Sequence, residues 1–384
     1  TNPITNETSG YQDSRRRLWL SQPFLPLLPS AGCLLAWVLE MPLLYWIAAV
    51  AWFGFTAMLD ELLPKDDNNP PVEVLDEIEI DPYYRNLLKA SAPSYLINFI
   101  FVCWYIANTD LTLSSYLGIA VSMGIVSGLA LAVGHEFGHK TSYSDRRWGK
   151  FFLGVGGVWH FLPGHLRSHH VHVATPVDSS SSRLGESLYQ FGIRSQLGFI
   201  RETWQAETDK LARKNSGPIS LQNEMVQTMG ITYGLFGALT IAFGFVVLPM
   251  LLIQQYVCWW YLSLIEYCQH YGMKRDQKED GSYLPFTEQH SWNTNMLASN
   301  NLLVNFVRHS PHHLRSTRWY HALRDHESAP VLPYCYPLMF LAAMVPPLYY
   351  RIMDHRVVDW ATRDANKINF HPPAEADIRQ RFAI

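Results

Sequence analysis

Long apolar segments constrain the fold of this chain more than any other feature of its sequence. A helix that crosses a bilayer needs about 20 mostly apolar residues, and six segments of roughly this length carry no charge, or one at most. Only 16% of the whole chain is charged, whereas about 25% is usual in soluble proteins. We therefore predict an all-α integral-membrane protein with transmembrane helices at 18–39, 41–59, 90–107, 112–134, 226–248 and 250–269.

Short connections indicate that these six segments form three hairpins, which turn near Glu40, Asn108 and Pro249. The polar regions between hairpins then lie on one side of the membrane, and they are 60–89, 135–225 and 270–384. Lys and Arg are absent from the hairpin tips and frequent in the N-terminal arm and in 135–225, so the positive-inside rule makes these regions cytoplasmic. We expect a multi-pass protein of a bacterial-type inner membrane, built as a single domain over 1–384.

A further apolar run, 331–350, is rich in proline, which disrupts a continuous helix. We therefore interpret it as re-entrant or interfacial and not as a seventh span. The net charge of −3 gives no indication of a nucleic-acid partner. None of the five cysteines stands in a C-x-x-C pair, so the sequence contains no iron–sulfur or rubredoxin-type site.

Nine of the 16 histidines are clustered at spacings that suit metal ligands. On a helix, residues three or four positions apart share a face. The topology places all the clusters at the same membrane side, where they can converge on one site. The candidate ligands are His135, His139, His165, His169, His170, His270, His309, His312 and His313.

The number of these histidines indicates more than one ion. Buried neutral imidazoles in such number each need a partner, and a metal supplies one. Zinc binds four ligands, and a single six-coordinate ion would leave several imidazoles unused. Two ions fit, with positions left open for O2. The ligand type alone is compatible with iron, copper or zinc.

The segment 135–139 also matches the H-E-x-x-H pattern of zinc proteases, in which the Glu is the general base. An intramembrane zinc protease or a metal transporter is therefore an alternative. The remaining histidine clusters, which such a protease does not need, favour the two-ion interpretation.

The clusters read HEFGHK at 135–140, HLRSHH at 165–170, QHYG at 269–272 and RHSPHH at 308–313. In this pattern the chain resembles the membrane-bound di-iron hydroxylases, and in particular the alkane hydroxylases. The segments 173–187, 290–295 and 357–368 extend the resemblance over nearly the whole chain. It implies that two iron ions are held by the nine histidines and that the terminal carbon of n-alkanes is hydroxylated with O2. It also implies electrons from a rubredoxin and its reductase, and a hydrophobic substrate drawn from the lipid bilayer.

Three positions depart from the family pattern. Gly164 and Gln269 stand where the alkane hydroxylases usually have Glu, and Pro311 stands where they usually have Asp. A Gln before the HYG motif is similar to the hydroxylase subunits of xylene monooxygenases, so oxidation of methyl groups on alkyl-aromatics is an alternative function. A lipid desaturase or hydroxylase of the wider histidine-box group is a further one.

Residues around the ligands complete the prediction. Glu136, Asp178 and Gln269 are candidates for hydrogen bonds to the outer nitrogens of the imidazoles. The substrate cavity is expected to lie within the bundle, and the resemblance associates Trp52 with selection of chain length. The candidate cavity residues are Trp52, Phe53, Trp259, Trp260, Leu262 and Ile265.

Overall fold

The computed structural model describes residues 11–384, and in this range the regular structure is helical, with only isolated β-bridges. Six helical segments are long and apolar enough to cross a membrane, which confirms the predicted number. We number these spans one to six in chain order: Leu18–Leu39, Pro42–Leu62, Pro82–Ala107, Leu113–Gly138, Glu224–Phe243 and Phe245–His270.

Polar side chains mark where several spans begin. Asp81 accepts a hydrogen bond from the Tyr83 amide at 2.9 Å, with Pro82 in the first turn of the third span. The Thr112 hydroxyl accepts one from the Ser115 amide at the start of the fourth span. Such caps satisfy amides that have no partner inside the helix, which matters most where no water is available.

The fifth and sixth spans are separated at Gly244 and not at Pro249, where the sequence suggested the turn. Gly244 has a φ of 87°, a conformation that favours glycine. Pro249 lies instead in the first turn of the helix Leu248–His270. Proline is tolerated there because its missing amide would have had no helical partner.

The first two spans are irregular. The first begins with two 3₁₀ turns, Leu18–Ser21 and Leu25–Leu27, before the α-helix Leu28–Leu39, in a stretch rich in proline. The second contains a π-helical segment, Val50–Thr56. Wider turns of this kind often occur at functional sites, and this one carries Trp52.

Shorter helices fill the polar regions. The proline-rich run 331–350 is divided between two of them, Tyr336–Ala343 and Pro346–Trp360, and therefore does not form one helix long enough to span. The α-helices of at least four residues outside the spans are Leu75–Glu79, Tyr143–Gly156, Phe161–Gly164, Leu188–Ala212, Leu297–Leu302, His309–Leu314, Tyr336–Ala343, Pro346–Trp360 and Glu375–Phe382.

The fourth span is the centre of the structure. Within its apolar stretch of 18 residues, 89% of the residues are buried, whereas the corresponding share in the fifth span is 22%. Glycines allow neighbouring elements to approach it closely: a Cβ added at Gly128 would lie 2.5 Å from the Tyr261 ring, and one at Gly134 would lie 2.8 Å from Leu153. Small residues at helix crossings are common in membranes, where packing drives association.

We expect Gly128→Val to push the fourth and sixth spans apart and to lower the free energy of unfolding by about 1–3 kcal/mol, because overpacking has no room to relax at this crossing. Gly234→Val on the fifth span is the matched control, since nothing lies within 4 Å of a Cβ there. Thermal unfolding in detergent measures both. Equal melting temperatures for the two variants would contradict the close crossing.

Candidate metal centre

The first histidine cluster lies at the end of the fourth span. His135 is in the last turn of the helix and His139 immediately follows it. Their Nε2 atoms are 3.1 Å apart, since residues four positions apart in a helix share a face. Both side chains are buried. The most buried of the six spans therefore presents two imidazoles at one end.

The second cluster depends on a π-helical turn. His165–His169 forms this turn between the short helices Phe161–Gly164 and His170–His172. In a π-helix residues five positions apart are paired, and the Nε2 atoms of His165 and His170 are 3.0 Å apart. His169 points elsewhere, and its Nδ1 lies 3.0 Å from Asp178.

The third cluster lies on the helix His309–Leu314, and His270 joins it from the end of the sixth span. The Nε2 atoms of His309 and His313 are 2.9 Å apart, and those of His270 and His309 are 3.1 Å apart. His312 is directed away from them, with its Nε2 3.3 Å from that of His170.

The nine histidines thus form two groups that do not follow the sequence clusters. One group has five members, and the other has His169, His270, His309 and His313. Within each group the ligand atoms lie within 4.8 Å of one another. The neighbours His169 and His170 belong to different groups, and so do His312 and His313. The group of five is His135, His139, His165, His170 and His312.

Hydrogen bonding cannot satisfy the group of five. The Nε2 atoms of His135, His139 and His165 are mutually 3.0–3.1 Å apart. A ring nitrogen either donates or accepts, so three of them in mutual contact cannot all be paired. A cation among them accepts all three lone pairs. At a metal–nitrogen distance of about 2.1 Å, ligands at right angles lie about 3.0 Å apart, which matches these separations.

The surroundings keep the imidazoles neutral, as metal ligation requires. Burial, together with a smaller effect of the neighbouring His169, lowers the pKa of His170 to about 3. Burial and adjacent imidazoles also hold the pKa values of His165 and His313 far below the usual value. The lone pairs are therefore free to bind metal at neutral pH.

Of the three residues predicted to bind the outer nitrogens of the imidazoles, Asp178 is the one that contacts a candidate ligand. Its carboxylate accepts from His169 Nδ1, which leaves the His169 Nε2 lone pair directed toward the group of four. Burial acts to raise the pKa of Asp178, but His169 and the Ser181 hydroxyl outweigh it and hold this pKa below its usual value.

Glu136 and Gln269 have structural contacts instead. Glu136 pairs with Lys140 at 2.8 Å and accepts from the Tyr320 amide, so it is engaged away from the histidines and is poorly placed as the base of a zinc protease. The Gln269 amide donates to the Phe306 carbonyl at 3.4 Å. Both residues hold the loops that carry the third cluster.

The sequence did not single out the aromatic rings that enclose the centre or the carboxyl group of Glu266. The Phe306 ring lies 4.4 Å from His135 and 5.3 Å from His309, and thus touches both groups. Glu266 is buried one turn before His270, and the Ser180 hydroxyl is the hydrogen-bonding group beside its carboxyl group. The one feature of the sequence that could have indicated Glu266 is its position four residues before His270.

An apolar cavity of about 360 Å³ lies between the first, second and fourth spans and the helix Leu297–Leu302. Trp52 lines it, and Trp52 also packs against Tyr261 and Phe340. Leu129, another lining residue, precedes His135 by six residues, which is about 9 Å along the helix. The cavity therefore lies beside the helix that leads to the histidines.

The other predicted cavity residues lie elsewhere. Phe53 and Ile265 belong to the main core, and Leu262 is buried in a separate small cluster. Trp259 donates to the Gly157 carbonyl, and Trp260 packs against Tyr189.

The remaining histidines stand outside both groups. His160 pairs with Gln196, and His321 stacks on Tyr84.

The class that this geometry defines is a helical, multi-pass membrane protein with two all-histidine groups able to hold metal ions. Residues 113–343 match the fatty acid desaturase family. The alkane 1-monooxygenase of Ectopseudomonas oleovorans is 39% identical over 99% of this chain and 94% of its own length. Alkane 1-monooxygenase 1 of Alcanivorax borkumensis is 37% identical over 98% and 94%. The xylene/toluene monooxygenase hydroxylase component of Pseudomonas putida is 25% identical over 84% and 85%.

The chain therefore belongs to the fatty acid desaturase family and, within it, to the alkane 1-monooxygenases. The resemblance in the sequence motifs is confirmed.

The two-group arrangement makes a specific prediction for the adjacent residues His312 and His313. With metal loaded, His312→Ala and His313→Ala should each reduce the bound metal from two ions to about one per chain, because each removes a ligand from a different group. The double variant should then bind almost none. Metal analysis of the purified proteins measures this, and His355→Ala serves as a control that lies outside both groups. A double variant that keeps as much metal as either single variant would show that both residues serve one ion.

Proposed function

We propose that this protein is a non-heme di-iron monooxygenase that converts medium- or long-chain n-alkanes to 1-alkanols with O2. The main support is the convergence of nine imidazoles in groups of five and four at the ends of membrane spans, in a chain that belongs to the alkane 1-monooxygenases. Two bound iron ions supply activation of O2, which an unactivated C–H bond requires and side-chain acid–base chemistry cannot provide.

The protein residues position the site and exclude water from it. The group of five histidines and the group of four would each hold one iron ion. Asp178 fixes the orientation of His169. Phe306, Phe161 and Phe286 pack on the imidazole rings and exclude solvent. Together these contacts give a rigid, dry centre next to an apolar bundle.

The substrate is expected to enter from the bilayer, where hydrocarbons are already dissolved. The cavity beside Trp52 is lined almost entirely by apolar side chains, and its volume of about 360 Å³ lies in the usual range for small-molecule sites. Its position between spans suits an apolar chain whose end approaches the histidines.

Electrons must come from outside the sequence described, since its five cysteines are dispersed, buried and free. We propose a rubredoxin, itself reduced by a rubredoxin reductase, as the donor. The positive-inside pattern supports a metal centre at the cytoplasmic face of the inner membrane, where a soluble donor can reach it.

The first test is a substrate panel. Membranes that contain the protein, supplied with rubredoxin, its reductase and NADH, should convert octane or dodecane to the 1-alkanol faster than they oxidise the methyl groups of xylene. Gas chromatography measures the products, and the metal-deficient variant His312→Ala is the blank. A clear preference for xylene would instead support the alkyl-aromatic alternative, which Gln269 suggests. An alkene formed from a fatty-acyl substrate would identify a desaturase.

The second test concerns chain length. Trp52→Leu should shift the preferred alkane toward longer chains, because the indole closes the cavity against Tyr261 and Phe340. Trp260→Leu is the matched control, since that indole does not line the cavity and packs on Tyr189. Product profiles over a series of n-alkanes measure both. An unchanged profile in Trp52→Leu would show that this cavity does not hold the substrate.

A further inference from the structure

A second cavity, far more polar than the first, lies outside the six spans beyond the last turn of the sixth. Its volume is about 260 Å³. Its charged lining residues are Arg183, Lys274, Arg379 and Glu375, and Asn369 contributes a buried amide. We propose that this cavity, the cationic pocket, binds a phosphate group.

Three chain segments build the cationic pocket through main-chain hydrogen bonds. The Leu184 amide donates to the Asn369 carbonyl at 2.7 Å, and the Asn369 amide donates to the Gly272 carbonyl at 2.9 Å. The Lys274 amide donates to the Lys367 carbonyl at 2.9 Å. The walls are therefore held by the backbone, and the lining side chains are not needed to keep them together.

Two of the cations are left without a counter-ion. Neither the Arg183 guanidinium nor the Lys274 ammonium has a hydrogen-bond or ion-pair partner among residues 11–384. Both are half-buried, and burial lowers the pKa of each. A partly buried charge without a partner is unfavourable. An anion in the cavity supplies the missing partner to both.

The other charges of the pocket are already paired. Arg379 binds Glu375 at 2.8 Å and lies over the Phe370 ring. The Glu375 carboxylate also acts on Lys274 from beyond ion-pair distance, and the pocket carries three cations against this one carboxylate.

Asn369 adds a polar group to the lining of the cavity. The residue is 3% exposed, and its Nδ2 has no hydrogen-bond partner in the described chain. An oxyanion in the cavity accepts charge-assisted hydrogen bonds from Arg183 and Lys274.

The cationic pocket is connected to the metal centre through the chain. Lys274 follows the ligand His270 by four residues, and Arg183 follows the loop that carries Asp178. The remaining wall comes from the C-terminal segment 365–379. A bound phosphate therefore crosslinks this segment to the two loops that support the group of four histidines, and it should stabilise the folded protein.

Phosphate could come from solution or from a phospholipid headgroup, and two arms of one experiment separate these sources. The first arm uses protein purified in neutral detergent and free of lipid, titrated with inorganic phosphate against chloride at equal ionic strength. Thermal unfolding should show a saturable rise in melting temperature. The second arm measures by native mass spectrometry the phosphatidylglycerol retained from nanodiscs.

Arg183→Gln and Lys274→Met each remove one of the unpaired cations and should weaken the phosphate response, or the lipid retention, by about tenfold. Lys214→Met removes an exposed lysine outside the pocket and should change neither. Two independent variants keep the test usable if one of them does not fold. Since neither arm measures oxidation, the result does not depend on the proposed function.

Each outcome is decisive. A phosphate response that both pocket variants weaken supports a soluble phosphate ligand, and lipid retention that both weaken supports a headgroup. No response in either arm overturns the proposal. A response that Lys214→Met weakens as much as Lys274→Met also overturns it, because the effect would then be general screening of surface charge.

Discussion

The repulsion between the lone pairs of nine clustered imidazoles, seven of them fully buried, is the interaction on which the rest of this structure depends. Nitrogen atoms only 2.9–3.3 Å apart in two enclosed groups have too few protons to share. Without cations the arrangement would leave unsatisfied polar atoms in a dry interior, which is costly. The fold therefore favours the binding of metal ions in this region. The helices that end here, and the aromatic rings that cover them, are arranged around it.

Local backbone geometry distributes the ligands between the two groups. A regular α-helix from His165 onward would direct residues three and four positions apart to one face. The π-helical turn His165–His169 pairs His165 with His170 instead and releases His169 toward the other group. In the helix His309–Leu314, His309 contacts His313, four positions on, whereas the Nε2 of His312 lies against that of His170 in the other group. Each of these two clusters thus supplies histidines to both groups, and two ions can share a single small volume.

The sequence predicted the number of spans and the convergence of the nine histidines because both follow from strong local rules. A lipid-exposed backbone must be helical, and buried imidazoles in such number each need a partner. It could not assign ligands to groups, since a π-turn leaves no clear mark in the residue pattern. It also could not orient the spans: a helix that is apolar all round does not show which face lines a cavity. For that reason the sequence could not show that, of its candidate cavity residues, Trp52 lines the apolar cavity and Ile265 and Leu262 do not.

The outer contacts of the imidazoles determine how much positive charge the centre keeps. Neutral ligands do not compensate the charge of bound cations, and Asp178 is the one carboxylate that contacts a ligand histidine in the described chain. Gln269 and Pro311 are uncharged, and the carboxyl group of Glu266 is buried beside the Ser180 hydroxyl. With metal bound, a centre with so few anions would keep most of its positive charge, which would favour the acceptance of electrons from a donor. Gln269 and Pro311 therefore bear on the electrostatics of a metal-loaded centre more than on the convergence of its histidines.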